Sequence, residues 1–325
     1  MNAYHVSLYS KGDSLPDMPS GNFFHSPELF HIIGNSPGQN PYMAVTTDVD
    51  GNIVAHMLAQ TRRCKSLLPP FIYMQGRIYG EGEYHTNTDR NEIFGLMLHA
   101  MTRKLRNNLC FFIEFSDISR KMFGYRYFRK EGYFPINWQE VRNSLHSMSP
   151  GKRLSEKTRN RIAKIYGMGV ETHEAKTCDE VHSFYRMLNS FHHLNIRCTT
   201  PPEKQVRILH GSKNCRIFTT TYKGKLIGGC LCVFSEGNAY LWHLASKRKS
   251  HPLLRPDIMT VWEAIQWSWK HNYAHFSFLD VGLPLHKNTF RDFTLSFGGK
   301  PVTKYRWFRF SAAWLNRLLK FIYRE

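Results

Sequence analysis

The stretch that decides the fold is residues 215–246, which read CRIFTTTYKGKLIGGCLCVFSEGNAYLWHLAS. It contains three runs rich in apolar and β-branched residues, at positions 215–222, 225–234 and 239–245. A lysine–glycine pair separates the first two runs and a glycine–asparagine pair the last two, as is typical of tight turns between strands. The pattern therefore predicts three consecutive antiparallel strands in this part of the chain.

Elements on both sides of this stretch continue an alternation of helices and strands. Apolar residues at helical spacing, such as Phe184 and Leu188, predict helices before it, and alternating residues predict strands after it. The expected helices are 154–166, 179–194, one from Pro201-Pro202 to about 211, 256–271 and a short one at 287–297. The expected further strands are 170–173, 275–280 and 301–310.

The first half of the chain has the same predicted order. We expect helices at 26–33, 89–106 and 119–129, and strands at 42–47, 53–60, 71–78, 110–115 and 133–138. The halves also end alike, because Phe128 with Glu131-Gly132-Tyr133 echoes Phe293 with Phe297-Gly298-Gly299. We infer two copies of one fold in tandem, with domains at 1–148 and 149–325.

Composition and charge restrict the class of protein. The chain has 325 residues, of which 42% are hydrophobic, so general disorder is excluded. It contains no apolar run of the length that spans a membrane and no apolar run of signal-peptide type near residue 1, so we expect a cytoplasmic protein. The seven cysteines are scattered and odd in number, which is typical of reduced thiols.

The basic charge is concentrated in the second half. Residues 1–150 carry 15 Lys+Arg against 13 Asp+Glu, whereas residues 151–325 carry 29 against 12. This asymmetry favours an anionic partner for the second half, such as phosphate groups, nucleic acid or an acidic membrane surface. The alternative is a solvated surface whose charge serves only solubility.

The predicted element order resembles the GNAT acetyltransferase fold, and two such units in tandem resemble the Fem peptidyl transferases and the wider FemAB-like acyltransferases. The residues that carry the resemblance are YKGKLIGG at 222–229, tryptophan and serine at 242 and 246, WEAI at 262–265, FLD at 278–280, RDF at 291–293 and FGG at 297–299. The resemblance implies an α/β (α+β) protein of two tandem GNAT-like domains, each a mixed sheet flanked by helices.

The resemblance also implies a reaction. Such enzymes move an acyl or aminoacyl group from a phosphate-bearing donor to an amine, here with a cell-wall or lipid-linked precursor as the expected acceptor. Relatives often carry lysine after the phenylalanine of the RDF motif, but this chain has Thr294. We therefore expect acyl-CoA as donor, with aminoacyl-tRNA as the alternative. Two further alternatives are a catalytically inactive relative and a non-catalytic anion- or nucleic-acid-binding protein, with nucleic acid expected only as tRNA.

A basic loop precedes the helix predicted at 256–271. The expected donor-binding residues are Lys247, Arg248, Lys249, Arg255 and Asp257. Backbone N–H groups at a helix N-terminus attract anions, and in the GNAT fold this junction binds the phosphates of coenzyme A. The loop contains no glycine, unlike the phosphate loop of ordinary GNAT enzymes. The alternative is a basic surface loop without a ligand.

Three residues are candidates for proton transfer. Amine acylation needs a base for the amine proton and donors for the developing oxyanion. His243 lies on the strand that enters the basic loop, Asp280 ends the next predicted strand, and Tyr305 lies on the last strand. Simple alternation places His243 on the sheet face opposite Tyr240 and Trp242. The alternative for each of the three candidates, and the more frequent use of such residues, is ordinary packing.

Metal binding is not expected. The adjacent His192 and His193 point about 100° apart on a helix and cannot chelate one ion together. Cys230 and Cys232 share a strand face but belong to no ligand motif, so they are interpreted as small buried side chains.

The C-terminal segment 312–322 is predicted to be an amphipathic helix. Its apolar stripe is Leu315, Leu318, Leu319 and Ile322. Such a helix either covers a core or docks on anionic lipid, and the second use would place the protein at the inner face of the membrane.

Overall fold

The computed structural model describes residues 4–66, 69–85, 89–116, 124–192, 200–284 and 287–323. The strands are β1 (His5–Ser10), β2 (Gln39–Thr47), β3 (Ile53–Lys65), β4 (Ile72–Tyr79), β5 (Glu83–Tyr84), β6 (Cys110–Ser116), β7 (Phe134–Ser144), β8 (Val170–Glu174), β9 (Cys215–Tyr222), β10 (Lys225–Ser235), β11 (Asn238–Ser246), β12 (His275–Gly282) and β13 (Lys300–Phe310). The α-helices are α1 (Pro27–Gly34), α2 (Arg90–Asn107), α3 (Tyr125–Lys130), α4 (Pro150–Arg153), α5 (Glu156–Gly167), α6 (Cys178–His192), α7 (Glu203–His210), α8 (Pro256–Lys270), α9 (Thr289–Leu295) and α10 (Ala313–Ile322).

The chain folds into two compact units. The first unit comprises Met1–Asn137 and Lys304–Glu325, and the second comprises Trp138–Thr303. These bounds differ from the sequence expectation of 1–148 and 149–325, because most of the last strand of each half lies in the unit of the other half. Strand β13 pairs with β6 in the first unit, and β7 pairs with β12 in the second.

In the first unit the hydrogen-bonded strand order is β1-β2-β3-β4-β6-β13, and β5 pairs with β3. Strands β4 and β6 are parallel, whereas the other neighbouring pairs along this order are antiparallel. Helix α2 buries an apolar stripe that includes Ile93, Met97 and Met101. The ring of Phe128 stacks on Trp307 with 4.4 Å between centroids, so the returning β13 completes this core.

In the second unit the strand order is β7-β12-β11-β10-β9-β8, with β11 and β12 as the parallel pair. Helix α8 packs on one face of the sheet and α6 contacts the other. Two glycines of β10 allow helices α8 and α6 to pack closely on the two faces of the sheet. A β-carbon at Gly228 would lie 2.5 Å from Thr260 Oγ1 of α8, and one at Gly229 would lie 2.5 Å from the Phe184 ring of α6. Side chains at these positions would force both helices away from the sheet.

The predicted order of elements is present in both halves, and β9 has the predicted bounds. Strand β1 was not predicted, because HVSLYS carries few of the large apolar residues that mark a core strand. Part of the short helix expected at 119–129 lies outside the described residues, and α3 begins at Tyr125. His193, Leu194 and Cys198 also lie outside them.

Candidate active site

The parallel seam between β11 and β12 opens partway along its length. The two strands pair from Asn238 with His275 as far as Leu241 with Phe278. Beyond that point β11 continues to Ser246 and β12 to Gly282 without further pairing between them. Backbone on both sides of a widening seam is where an extended group can lie between two strands. This opening is therefore the candidate active site.

A bulge in β11 lies at the point where the seam opens. Leu241 pairs with Cys232 of β10 and His243 with Leu231, so Trp242 is an additional residue in β11. The bulge interrupts the alternation of side chains. Tyr240 pairs with Val233 and His243 pairs with Leu231. Val233 and Leu231 are two residues apart in β10 and point to the same face of the sheet. Tyr240 and His243 therefore share that face, which is the one that α6 contacts.

The rings of Trp242 and His243 lie side by side. Their centroids are 5.9 Å apart with an angle of 15° between planes, and both residues are half-buried. The expectation that His243 lies opposite both Tyr240 and Trp242 is therefore wrong, because it assumed an unbroken strand. The bulge brings the imidazole and the indole together on one side of the opening.

The other border of the opening is also irregular. The pairing of β12 with β7 runs from His275 to Phe278 and resumes at Gly282, so residues 279–281 form a bulge. Asp280, within it, has a φ of 61° and an exposed side chain. Positive φ is uncommon for residues other than glycine, and aspartate adopts it more readily than most. The bulge turns the Asp280 carboxylate out to solvent at the border of the opening.

Asn288 and Arg291 bind carbonyl groups at the end of β12 and directly after it. Asn288 caps α9 by accepting from the N–H groups of Phe290 and Arg291 and donates its amide to the Val281 carbonyl. Arg291 Nη1 lies 2.6 Å from Gln139 Oε1 and 3.1 Å from the Pro284 carbonyl. The arginine of the RDF motif therefore fixes the residues that directly follow β12. The role of Asn288 was missed, and its only sequence signal was an asparagine just before a short helix.

Thr294, where relatives often carry lysine, is buried in α9 and donates to the Arg291 carbonyl at 2.9 Å. Gly298 and Gly299 follow this helix. A β-carbon on Gly298 would lie 2.5 Å from the Arg153 carbonyl, and one on Gly299 would collide with Asn143. The glycines of the FGG motif are therefore required by close packing.

The N-terminus of α8 already holds an ion pair. Arg255 Nε and Nη2 donate to the two carboxylate oxygens of Asp257 at 3.0 and 2.9 Å, and Arg248 Nη1 lies 3.7 Å from the same carboxylate. The Asp257 side chain is buried, whereas Lys247 and Lys249 are exposed. The five predicted donor-binding residues thus divide into two exposed lysines and a buried aspartate with its two arginines.

Tyr305 belongs to the first unit. Its side chain is 48% exposed, and its ring centroid lies 6.3 Å from that of Trp307. Of the three candidates for proton transfer, His243 and Asp280 border the opening in the second unit.

The part of the chain that the structure describes contains no group of three or more His, Cys, Asp and Glu side chains able to hold a metal ion. Within the same residues, no helix is long and apolar enough to cross a membrane.

Residues 152–284 match the family model described as "Acetyltransferase (GNAT) domain", and no curated protein sequence matches the chain. Among solved structures, FemX aligns with a TM-score of 0.63 at 9% identity, over 94% of this chain and 96% of FemX.

Two other solved structures align over most of both chains. The C-terminal domain of a putative lysylphosphatidylglycerol synthetase from Agrobacterium fabrum gives a TM-score of 0.59 at 9% identity, over 92% of this chain and 91% of that one. A tandem GNAT protein from the clavulanic acid biosynthesis pathway gives 0.52 at 10%, over 85% and 84%. The chain therefore has the fold of FemX and of a tandem GNAT protein, and its second unit contains a region that matches the acetyltransferase (GNAT) domain.

Proposed function

We propose that the protein is an acyltransferase whose reaction takes place at the opening between β11 and β12. The observation that carries the proposal is that this seam separates beyond Leu241 and Phe278, inside the matched acetyltransferase domain. The acceptor nitrogen forms a bond to the acyl carbon of the donor. The bond from that carbon to the donor's sulfur or oxygen breaks, and the amine proton passes to a base.

His243 is the proposed base. A neutral imidazole has a ring nitrogen whose lone pair can accept the amine proton. The neighbouring Trp242 ring supplies a flat apolar wall beside it. Asp280, exposed on the other border, is proposed to attract and orient a cationic amine before it loses its proton. Tyr305, the residue predicted as a proton donor, lies in the first unit, and the proposed reaction does not use it.

Acyl-CoA is the proposed donor, with its phosphates near Lys247, Lys249 and the start of α8. The tandem GNAT protein of the clavulanic acid biosynthesis pathway is described as a structure without AcCoA. Acetyl-CoA is thereby associated with that neighbour, which supports this choice. Aminoacyl-tRNA is the second candidate, and the pairing of Asp257 with Arg255 favours it. A carboxylate already neutralises this arginine at the helix N-terminus, which weakens the site for a compact pyrophosphate.

The proposed acceptor is an amine on a cell-wall or lipid-linked precursor, and the proposed location is the cytoplasm, at the inner face of the membrane. The neighbour from Agrobacterium fabrum, a putative lysylphosphatidylglycerol synthetase, is named for a lipid product, which supports a lipid-linked acceptor.

Calorimetric titration of the full chain with acetyl-CoA and, separately, with aminoacyl-tRNA tests the donor. The variant Lys247→Ala/Lys249→Ala removes the two exposed lysines, and Lys204→Ala/Lys213→Ala removes two exposed lysines elsewhere in the same unit. We expect the first variant to bind acetyl-CoA about tenfold more weakly with a flatter salt dependence, because charge-assisted contacts are lost. The second variant should bind normally.

Binding of tRNA without binding of acetyl-CoA would select the second donor. Binding of unacylated oligonucleotides as strongly as either donor, with no transfer to any amine, would replace the proposal with a non-catalytic anion-binding protein.

A further inference from the structure

Helix α10 in the first unit has an apolar face that no other part of the described chain covers. No residue of this helix is buried. Trp314 is 67% exposed, Leu318 47%, Phe321 81% and Ile322 57%. Positions 314, 318 and 321 recur at the spacing of one helix face, so these side chains form a continuous stripe. The exposed stripe is shifted from the one expected from the sequence, because it includes Trp314 and Phe321 whereas Leu315 and Leu319 are half-buried.

The orientation of the helix is fixed by its opposite side. Asn316 Oδ1 accepts from the Phe310 N–H at 3.0 Å, and its Nδ2 donates to the Gly132 carbonyl at 2.9 Å. The Tyr323 ring stacks on Phe134 with 6.3 Å between centroids. These contacts hold the helix to the first unit through its polar side. The apolar stripe is thereby presented outward in one defined orientation.

An apolar groove lies beside the start of α10. It has a volume of about 500 Å³, and its lining includes Ile72, Leu109, Phe111, Arg106 and Ser311, the last of which is two residues before the helix. Ile72 is 60% exposed and Leu109 is 83% exposed. The exposed apolar surface therefore includes this groove as well as the helix.

The charges on this surface have one sign. Helix α10 contains Arg317 and Lys320 and no acidic residue. Arg317 is exposed next to the stripe, and Arg106 is an exposed cation in the lining of the groove. Apolar and aromatic side chains beside cations are the combination that binds the interface of an anionic bilayer, where the rings insert and the cations meet headgroups.

We infer that the stripe of α10 and the adjoining groove form a docking surface for an anionic lipid bilayer. The surface lies in the first unit, and the inference does not depend on the reaction proposed for the second unit. The protein attaches peripherally, since α10 lies on the surface with its polar side bound to the protein. The test must also exclude that a second copy of the chain, or another protein, covers this surface.

Cosedimentation of the full chain with vesicles tests the inference. We expect binding to phosphatidylcholine vesicles that contain phosphatidylglycerol, and weaker binding to vesicles of phosphatidylcholine alone. Trp314→Ala/Phe321→Ala should lower the partition coefficient at least about tenfold, because two large apolar side chains no longer insert. Arg317→Glu should lower it mainly for the anionic vesicles. Trp269→Ala removes a tryptophan that is 42% exposed in the second unit and should bind as the unaltered protein does.

Equal binding of the unaltered protein and Trp314→Ala/Phe321→Ala would overturn the inference, as would the absence of any binding to anionic vesicles. Light scattering behind a sizing column provides the second measurement. A dimer that becomes a monomer in Trp314→Ala/Phe321→Ala would also overturn it, because the stripe would then be covered by a second copy. Since all the changed side chains are exposed, circular dichroism should show the same folded state in every variant.

Discussion

The two units have the same order of elements but differ at the parallel seam of each sheet. In the first unit β4 and β6 pair as far as Tyr79 with Ser116, and the Gly80 N–H continues to the Ser116 carbonyl. In the second unit the corresponding pairing of β11 and β12 stops after four residue pairs. The two units therefore share an order of elements without sharing the opening between the parallel strands. Among the described residues, this opening is present only in the second unit.

Buried charges accompany the closed seam. Glu114 of β6 lies 3.1 Å from Arg306 Nη1 and 3.6 Å from Arg77 Nη2, and Gln75 donates to it at 2.9 Å. Arg77 and Glu114 are direct partners across the seam. In the second unit β12 bulges at Asp280, beyond the last residue pair that it forms with β11. In the first unit the Glu114 carboxylate of β6 contacts Arg77 of β4 across the closed seam. In the second unit the bulge that contains Asp280, at positive φ, borders the open seam.

The largest effect is expected when Glu114 is changed. Glu114→Ala removes the buried carboxylate that both Arg306 and Arg77 face, and removing one partner of a buried ion pair costs about 3–5 kcal/mol of unfolding free energy. Urea denaturation measures the loss. Asp280→Asn, at the exposed residue of the open seam, should leave stability within about 0.5 kcal/mol of the unaltered protein. Equal stability of both variants would show that the charge cluster does not hold the first seam.

The second prediction concerns turnover at the open seam. His243→Ala should lower the rate of acyl transfer about 100-fold, the usual contribution of a general base, without weakening donor binding by a similar factor. His85→Ala, in the first unit, should leave the rate unchanged, because the proposed reaction takes place in the second unit. Rates followed over a pH series should rise with pH on the acidic limb, as a general base loses its proton, and His243→Ala alone should lose this rise. Full turnover by His243→Ala would show that this imidazole is structural.

The sequence predicted the elements well because each has a strong local signal. Strand β9 is bounded by a turn at Lys223-Gly224, and α8 begins at Pro256. The exchange of β7 and β13 between units was not predictable, since both strands alternate similarly and nothing local selects a partner. The bulge at Trp242 and the pairing of Arg255 with Asp257 were also not predictable from the sequence. They depend on register and on side-chain geometry, which the order of residue types does not specify.

The third prediction is that the stabilities of the two units depend on pH in different ranges. Burial, with a smaller effect from His85, lowers the pKa of His56 in the first unit from 6.5 to about 4. Its imidazole therefore binds a proton more readily in the unfolded chain, so stability falls as the pH drops from about 6.5 towards 4. The expected loss is on the order of 2 kcal/mol, because Glu83 Oε2 at 3.6 Å offsets part of the cost of protonation.

The second unit should respond at lower pH. Burial raises the pKa of Glu180, but hydrogen bonds led by the N–H groups of Thr177 and Lys176 outweigh it and lower that pKa to about 2. This contribution is present above about 4.5, the ordinary pKa, and is lost only as the pH falls towards 2. Urea midpoints of His56→Gln should therefore depend less on pH between 6.5 and 4, whereas those of Glu180→Gln should keep the original dependence there. The reverse result would assign the first acid transition to the second unit.

The smallest effect is expected at the start of α8, where Asp257→Asn tests whether the second unit uses this helix end for its donor. The change removes a carboxylate that both Arg255 and Arg248 face, and it releases two cations towards an approaching phosphate. Acetyl-CoA should bind about tenfold more tightly and with a steeper salt dependence, while unfolding free energy falls by about 1 kcal/mol because the bidentate pair is lost. Asp292→Asn, which removes an exposed acid from the first turn of α9, is the matched control and should change neither donor affinity nor its salt dependence. If Asp257→Asn weakens acetyl-CoA binding, the carboxylate itself orders the donor site. If the affinity stays the same in both variants, the phosphates bind away from this helix, and the exposed lysines of the preceding loop would have to act without it.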